Sequence, residues 1–411
     1  MNVVEFKKIS LDGKNYYDVV NNLDLKNRTL SFTMNIEQLT IITKRKIGEL
    51  LFNPDIVYNL FKNIYVKDSN NIEYSCINCF FKTNFTGEVV EFNSVSIDSI
   101  LKNTVSDDIN IKADKVIFKT RYVGCGKYNA YIKSYNIKYS NNISIDIDVK
   151  VDMDTHIDIS INSKKISNYN KLSYFAFTYI ELLLLCFGEM PLIEEIVLCN
   201  GSQKIDLYYS LADKYLPCNR AKCKELITIV DNTVINDSTM KNFRNFRKKT
   251  KIIYDLLMTN MVSNTYIEIR NCSIIQIFEG VYNSINNTEY PLYKVLNKCF
   301  IKNSNTKMIL TKRDKVRVKN KYRTPIFLYK CSSHRNYLSH LNQNQYKNVF
   351  VKKENWYAYW KITLCLRIII ADSIGIKCDK SMIDQYLERI NKWGKKLRFS
   401  HKLNSDDKLV I

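Results

Sequence analysis

The chain has 411 residues, enough for two or three domains, and its 45% hydrophobic and 25% charged residues exclude a disordered protein. Lys and Arg outnumber Asp and Glu by 62 to 41, and the formal charge of +21 favours a polyanionic partner such as nucleic acid. We expect a cytoplasmic protein with reduced thiols and no membrane contact, because residues 1–8 lack the apolar core of a secretory signal and the longest apolar run, 174–187, is too short to span a bilayer.

Residues 3–165 have the pattern of β-strands. Apolar and polar residues alternate over 143–152 and again over 157–161, and shorter strands are expected at 30–34 and 116–120. Such alternation predicts a sandwich-like sheet with one solvated face.

The period becomes helical between residues 167 and 198. Leucines and aromatic residues recur at helical spacing up to Gly188, which is a stop signal. A β-hairpin is then expected at Asn200-Gly201, a strong turn dipeptide between the apolar segments 196–198 and 205–209.

The first half offers little for catalysis. Cys76-x-x-Cys79 and Cys218-x4-Cys223 have the spacing of two half-sites for zinc, but no histidine lies near either pair, so we expect no metal. Glu181 has no acidic partner at helical spacing and is interpreted as a solvated or capping residue. We therefore expect a sensing or positioning domain over residues 1–235, whose ligand the sequence does not identify.

From about residue 238 the pattern is helical. A basic segment that turns apolar predicts one helix over 243–259, and further helices are expected at 266–285, 292–300, 325–341, 355–374 and 381–394. The basic stretch 302–323 is expected to be a loop. The predicted fold class is α+β, with a β-rich domain followed by an all-α bundle over residues 236–411.

Basic residues are clustered in runs with interspersed aromatic residues. Such runs can follow a phosphate backbone while the aromatic rings stack on unpaired bases, although generic solvated faces are an equal alternative for any single run. The RNA-binding candidates are Arg244, Arg247, Lys248, Lys312, Arg313, Lys315, Arg317, Lys319, Lys321 and Arg323. Residues 392–402, with Trp393 and Phe399, form a third run.

The helix predicted at 325–341 contains two of the four histidines. A stripe of Phe327, Cys331, His334, Leu338 and Leu341 should face the core. Tyr329, Ser333, Asn336 and His340 should then lie on the opposite side, with Arg335 on the flank. Histidine can transfer a proton near neutral pH, and arginine matches phosphate oxygens, so this face suits RNA cleavage without a metal or other cofactor.

Arg335-Asn336-x-x-x-His340 resembles the Arg-x-x-x-x-His signature of HEPN ribonucleases. The surrounding helices, and the long N-terminal region with its leucine-rich helix, resemble the ApeA branch of anti-phage HEPN proteins. The resemblance implies an endoribonuclease homodimer that cleaves host or phage RNA, with tRNA as a candidate, and that a phage-derived trigger controls through the N-terminal domain.

The resemblance also implies roles for individual residues. His340 would be the general acid or base, Arg335 the phosphate-binding cation, and Asn336 an orienting group. Glu279 would hold Arg335 or orient His340, with a surface acid as the alternative, and Tyr337 is a further supporting candidate. Two other functions stay open: a catalytically inactive HEPN-like module that binds RNA or neutralises a toxin, and, more remotely, a DNA-binding regulator.

Overall fold

The computed structural model describes residues 3–10, 15, 17–44, 62–86, 89–105, 111–122, 132–209, 228–262, 265–318, 324–340, 348–394 and 409–410. Strands predominate in the described chain up to residue 209, and helices predominate from residue 237, so the α+β class is confirmed. None of the described helices is both long and apolar enough to cross a lipid bilayer.

Within the described residues, the N-terminal half forms one antiparallel sheet with two α-helices. Its strands are β1 Val3–Ser10, β2 Tyr17–Asp24, β3 Thr29–Asn35, β4 Asn63–Asp68, β5 Glu73–Thr86, β6 Val89–Lys102, β7 Lys112–Tyr122, β8 Tyr135–Lys138, β9 Ile143–Val151, β10 Thr155–Asn168, β11 Leu192–Asn200 and β12 Gln203–Tyr209. The helices are α1 Ile36–Thr43 and α2 Tyr169–Phe187. The strand order is β3-β2-β1-β4-β5-β6-β12-β11-β7-β10-β9-β8.

The first six strands close into a ring, because β6 pairs with β3 as well as with β5. The interior of this ring is a separate core that includes Phe32, Phe81 and Phe92, whose rings pack together at centroid distances of 4.6 to 6.2 Å. The sandwich-like sheet expected from the sequence therefore takes another form, a closed ring that continues into an open sheet.

The open half of the sheet carries α2. Ile157, Ile159 and Ile161 alternate inward along β10 and are fully buried beneath this helix. The helix ends at Gly188, whose φ of 78° suits a residue without a side chain and whose N–H donates to the Leu184 carbonyl. The hairpin of β11 and β12 turns where the sequence predicts it, with Gly201 at φ 58°.

The C-terminal half is a bundle of helices with a two-residue strand pair. The helices are α3 Asp237–Thr250, α4 Ile252–Val262, α5 Ile267–Asn286, α6 Leu292–Asn297, α7 Ile326–His340, α8 Lys353–Ser373 and α9 Lys380–Gly394. The strands are β13 Arg317–Val318 and β14 Leu409–Val410. One hydrophobic core runs from the open sheet through α2 into this bundle, so the two halves share buried side chains.

Two expectations for the helices were wrong. The single helix expected over 243–259 is divided at Lys251, a non-glycine residue at φ 42°, into α3 and α4. Glu181 is buried rather than solvated: its carboxylate lies 3.1 Å from Arg247 Nη1 and accepts a hydrogen bond from the Tyr254 hydroxyl at 3.2 Å.

The segment between α6 and α7 is anchored by Asp314, which is fully buried. Its Oδ2 lies 2.6 Å from Lys361 Nζ and accepts from the Thr311 hydroxyl at 2.7 Å and from the Tyr357 hydroxyl at 3.1 Å. Burial lowers the pKa of Lys361, and the carboxylate opposes this effect. The one acid in this basic segment therefore fixes it to α8.

Candidate functional site

Helix α7 begins close to where the Thr324-Pro325 signal predicts it. The N–H groups of Ile326 and Phe327 at its start donate to the carbonyls of Val316 and Asp314, at 2.7 and 3.2 Å. Leu341, the last member of the predicted stripe, lies outside the described residues.

The inward stripe of α7 is confirmed over most of its length. Phe327 and Cys331 are completely buried, His334 is 2% exposed, and Leu338 is half-buried. Ser333, which was expected on the solvated side, is buried instead. Helix α7 is therefore covered on a wider face than the sequence indicates, since it packs against α5 and α6 and its Lys330 pairs with Glu354 of α8.

Helix α5 places a polar row against the C-terminal part of α7. Cys272, Gln276 and Glu279 follow one another at spacings of four and three, which puts them on one face of α5. The Gln276 amide donates to the Ser339 hydroxyl at 2.6 Å, and the Cys272 sulfur lies 3.7 Å from the same hydroxyl. We call this meeting line the α5–α7 seam.

Arg335 is held at the seam between an acid and an amide. Its Nη2 lies 3.5 Å from Glu279 Oε2, and its Nη1 donates to Asn336 Oδ1 at 3.1 Å. The side chain is 30% exposed, and that of Glu279 is 22% exposed. A guanidinium that is oriented on one side and open to water on the other can receive a phosphate oxygen.

The structure describes less of the other two candidate residues on α7, His340 and Tyr337. His340 is the last residue of α7, one helical turn after Asn336, but its side chain lies outside what the structure describes. Tyr337 is half-buried.

His334 belongs to the core rather than to the seam. Its Nε2 lies 3.2 Å from the Glu268 carbonyl oxygen, and its Nδ1 is buried without a hydrogen bond among the described residues. Burial, more than any other cause, lowers the pKa of His334 to about 4. The imidazole is therefore neutral at physiological pH and donates through Nε2–H.

Three residues of the seam, Cys272, Gln276 and Ser339, were not predicted from the sequence. The signal that could have found the first two was the spacing of polar residues before Glu279 on a helix already predicted there. Burial raises the pKa of the Cys272 thiol, while the Ser339 hydroxyl and Arg335 oppose this effect.

Two of the three basic candidates on α3, Arg244 and Arg247, interact with other residues of the protein. Arg244 bonds to the Tyr139 hydroxyl and lies 5.1 Å from the centre of the Tyr174 ring, whereas Arg247 pairs with Glu181. Lys248 is exposed. Phe243 and Phe246 are buried in the core. The prediction that aromatic residues of this run stack on RNA bases is therefore wrong.

The second basic run is partly exposed. Its exposed members are Lys312, Arg313, Lys315 and Arg317, whereas Lys319, Lys321 and Arg323 lie outside the described residues. The described part packs against the first turn of α7, which lies about 14 Å along the helix axis from Arg335 at about 1.5 Å per residue. An RNA that touches both must therefore extend along α7.

Of the two cysteine pairs considered for zinc, only Cys76 and Cys79 lie among the described residues. Cys76 and Cys79 are buried on β5, and the Cys79 thiol donates to the Cys76 carbonyl at 3.4 Å. Cys218 and Cys223 lie outside the described residues. In the part of the chain that the structure describes, no cluster of three or more His, Cys, Asp or Glu residues could hold a metal ion.

The arrangement at the α5–α7 seam is thus one oriented arginine, an amide that fixes it, an acid that supports it, and a histidine one turn further along the same helix. No protein-family model, curated protein or solved structure matches this chain.

Proposed function

We propose that the protein is a metal-independent HEPN-type endoribonuclease. The observation that carries the proposal is the pairing of Arg335 with both Glu279 and Asn336 at the α5–α7 seam, with His340 one turn beyond Asn336. The resemblance of residues 335–340 to the HEPN motif rests on sequence alone, and the supported arginine gives it a chemical context.

The reaction needs three tasks to be performed. A base removes the proton from the 2'-hydroxyl, the oxygen attacks the adjacent phosphorus, and an acid protonates the departing 5'-oxygen. The products are a 2',3'-cyclic phosphate and a 5'-hydroxyl. Arg335 stabilises the negative charge that builds on the phosphate oxygens, and His340 transfers a proton.

A homodimer can supply both the base and the acid that the reaction requires. One imidazole cannot readily serve as base and acid in the same step, so two copies of the seam placed together would supply both. In this proposal the enzyme acts in the cytoplasm during anti-phage defence, on RNA such as tRNA, and a phage-derived trigger acts at the N-terminal domain.

An inactive RNA-binding module is the second candidate. The exposed cations of the second basic run support it, because Lys312, Lys315 and Arg317 lie at the end of α7 remote from Arg335 and can bind phosphates without the seam. This candidate predicts salt-sensitive RNA binding that survives substitution of both Arg335 and His340.

The deciding experiment is incubation of the purified protein with total cellular RNA in EDTA, followed by mapping of the new ends. Wild type should produce 2',3'-cyclic phosphates, and His340→Ala should reduce cleavage by about 100 to 10,000-fold, because a positioned acid or base typically contributes that much.

His156→Ala is the matched control, since this histidine lies on β10 and is 35% exposed. Its cleavage rate should equal that of wild type. Equal cleavage by wild type and His340→Ala would refute the assigned role. Binding of RNA by all variants without cleavage would favour the inactive module.

A further inference from the structure

A cavity of about 390 Å³ lies away from the α5–α7 seam, between the end of α2, the start of α5, and the helices α8 and α9. Its volume is within the range of about 300 to 1,000 Å³ that is typical of small-molecule sites. Neither the motif on α7 nor the proposed reaction uses it.

Arg270 supplies a positive charge at this cavity. It is 5% exposed and donates to the carbonyls of Asn260 and Met261 and to the Tyr359 hydroxyl, the last at 2.6 Å. These three acceptors are neutral, so none of them cancels the charge of the guanidinium. A buried cation surrounded by neutral dipoles attracts an anion strongly, because little water screens it.

Arg367 lines the same cavity and is 1% exposed. Its Nε donates to the Leu185 carbonyl at 2.7 Å, and burial lowers its pKa to about 10, so it stays charged at neutral pH. Glu189, half-buried, contributes one acid to the lining. Among the described lining residues, the charged ones are thus two arginines and one glutamate.

The other walls are aromatic. Trp356 is 39% exposed, and its ring centre lies 6.0 Å from that of Trp360, while the Tyr359 ring lies 4.5 Å from the Arg270 guanidinium carbon. Flat aromatic surfaces next to a guanidinium suit a ligand that combines a planar heterocycle with an anion.

Thr363 adds a hydrogen-bonding group that no described residue of the chain uses. Its hydroxyl oxygen is buried and makes no hydrogen bond within the described part of the chain, although the residue lines the cavity. A buried polar group without a partner is costly, and a bound ligand can remove that cost.

We propose that this cavity is a binding site for a small nucleotide, with the base against the tryptophans and the phosphate at Arg270 and Arg367. A nucleoside monophosphate has the planar ring and the doubly charged group that the walls require. The site is distinct from the seam and does not depend on the proposed ribonuclease activity.

The tryptophans provide a local probe. The chain contains three, and all are connected here, because the Trp393 ring lies 5.2 Å from that of Trp360. Titration with AMP, GMP, CMP and UMP, followed by intrinsic fluorescence and calorimetry, should show saturable binding of at least one nucleotide. The same affinity is expected in His340→Ala, which separates this site from the RNA site.

Thr363→Val tests the proposed hydrogen bond between the Thr363 hydroxyl and the nucleotide, because valine has nearly the same volume as threonine. It should weaken nucleotide binding by about tenfold, the effect of one lost hydrogen bond, and leave the thermal stability of the free protein unchanged or higher. Arg270→Lys should also weaken binding, because lysine keeps the charge but loses the planar fork.

Thr228→Val is the matched control, since Thr228 is another buried threonine whose hydroxyl makes no hydrogen bond to the described residues, and it does not line the cavity. It should bind nucleotide as wild type does. The proposal is overturned if none of the four nucleotides binds at millimolar concentration, if Thr363→Val and Arg270→Lys bind as wild type does, or if inorganic phosphate binds as tightly as the nucleotides.

Discussion

His334 shows how position on a helix decides the chemistry of a histidine. Six residues before His340, on the inward stripe of α7, it loses contact with water, and burial lowers its pKa from 6.5 to about 4. It cannot serve the proposed proton transfer, because its imidazole is enclosed near Phe350 and Lys330.

The depressed pKa makes stability depend on pH. Between about pH 6.5 and 4 the unfolded chain protonates this imidazole and the folded chain does not, so the contribution of His334 to stability is complete above pH 6.5 and is lost as the pH falls toward 4. A pKa difference of about 2.5 corresponds to at most about 3 to 4 kcal/mol. Urea unfolding at pH 7, 6 and 5 measures this loss.

His334→Gln should remove that part of the pH dependence, because the amide can still donate to the Glu268 carbonyl but does not titrate. His156→Gln, at a 35% exposed histidine, should keep it. Identical pH profiles for wild type and His334→Gln would show that the buried imidazole is not the cause.

At the scale of elements, the α5–α7 seam depends on two helices that meet with matching polar rows. Glu279 orients Arg335 across the seam, and Gln276 bonds to Ser339 one turn further along α7. The position of the arginine therefore depends on α5 as much as on the motif helix.

Glu279→Gln should lower RNA cleavage by about 100-fold, because a cation displaced by about 1 Å no longer meets the reacting phosphate. The free energy of unfolding should change by less than about 1 kcal/mol, since both partners are partly exposed and such pairs contribute little to stability. Single-turnover cleavage rates and urea unfolding test the two statements.

Glu289→Gln is the matched control, because Glu289 is an exposed acid in the connection after α5. It should leave both quantities unchanged. Full activity of Glu279→Gln would mean that Asn336 alone orients Arg335.

At the scale of the whole molecule, the sheet and the helical bundle share one core. Glu181 on α2 pairs with Arg247 on α3, and Arg367 on α8 donates to the Leu185 carbonyl of α2. Helix α2 is thus buried between the open sheet and the bundle, and neither side can unfold without exposing it.

The open sheet and the bundle should therefore unfold together. Tryptophan fluorescence reports on the bundle, because all three tryptophans lie on α8 and α9, while far-UV circular dichroism reports on both halves. Their urea transitions should coincide. Glu181→Gln should shift both transitions equally, by about 3 kcal/mol or more, since it leaves Arg247 without its buried carboxylate.

Lys241→Gln is a suitable control, because its ion pair with Asp237 on α3 is exposed. It should change neither midpoint appreciably. Separate fluorescence and dichroism transitions would contradict the shared core.

The sequence by itself determined much of the local structure of this protein and the motif on α7. Alternation over 143–161 and the signals at Gly188, Gly201 and Thr324-Pro325 predict elements that the structure contains, because they depend on neighbours within a few residues. Only the tertiary structure decided which elements meet: the closure of β6 on β3, the burial of Glu181, and the pairing of Arg335 with Glu279. Residues 56 positions apart in the chain have no local pattern that connects them, so their contact depends on how α5 and α7 pack.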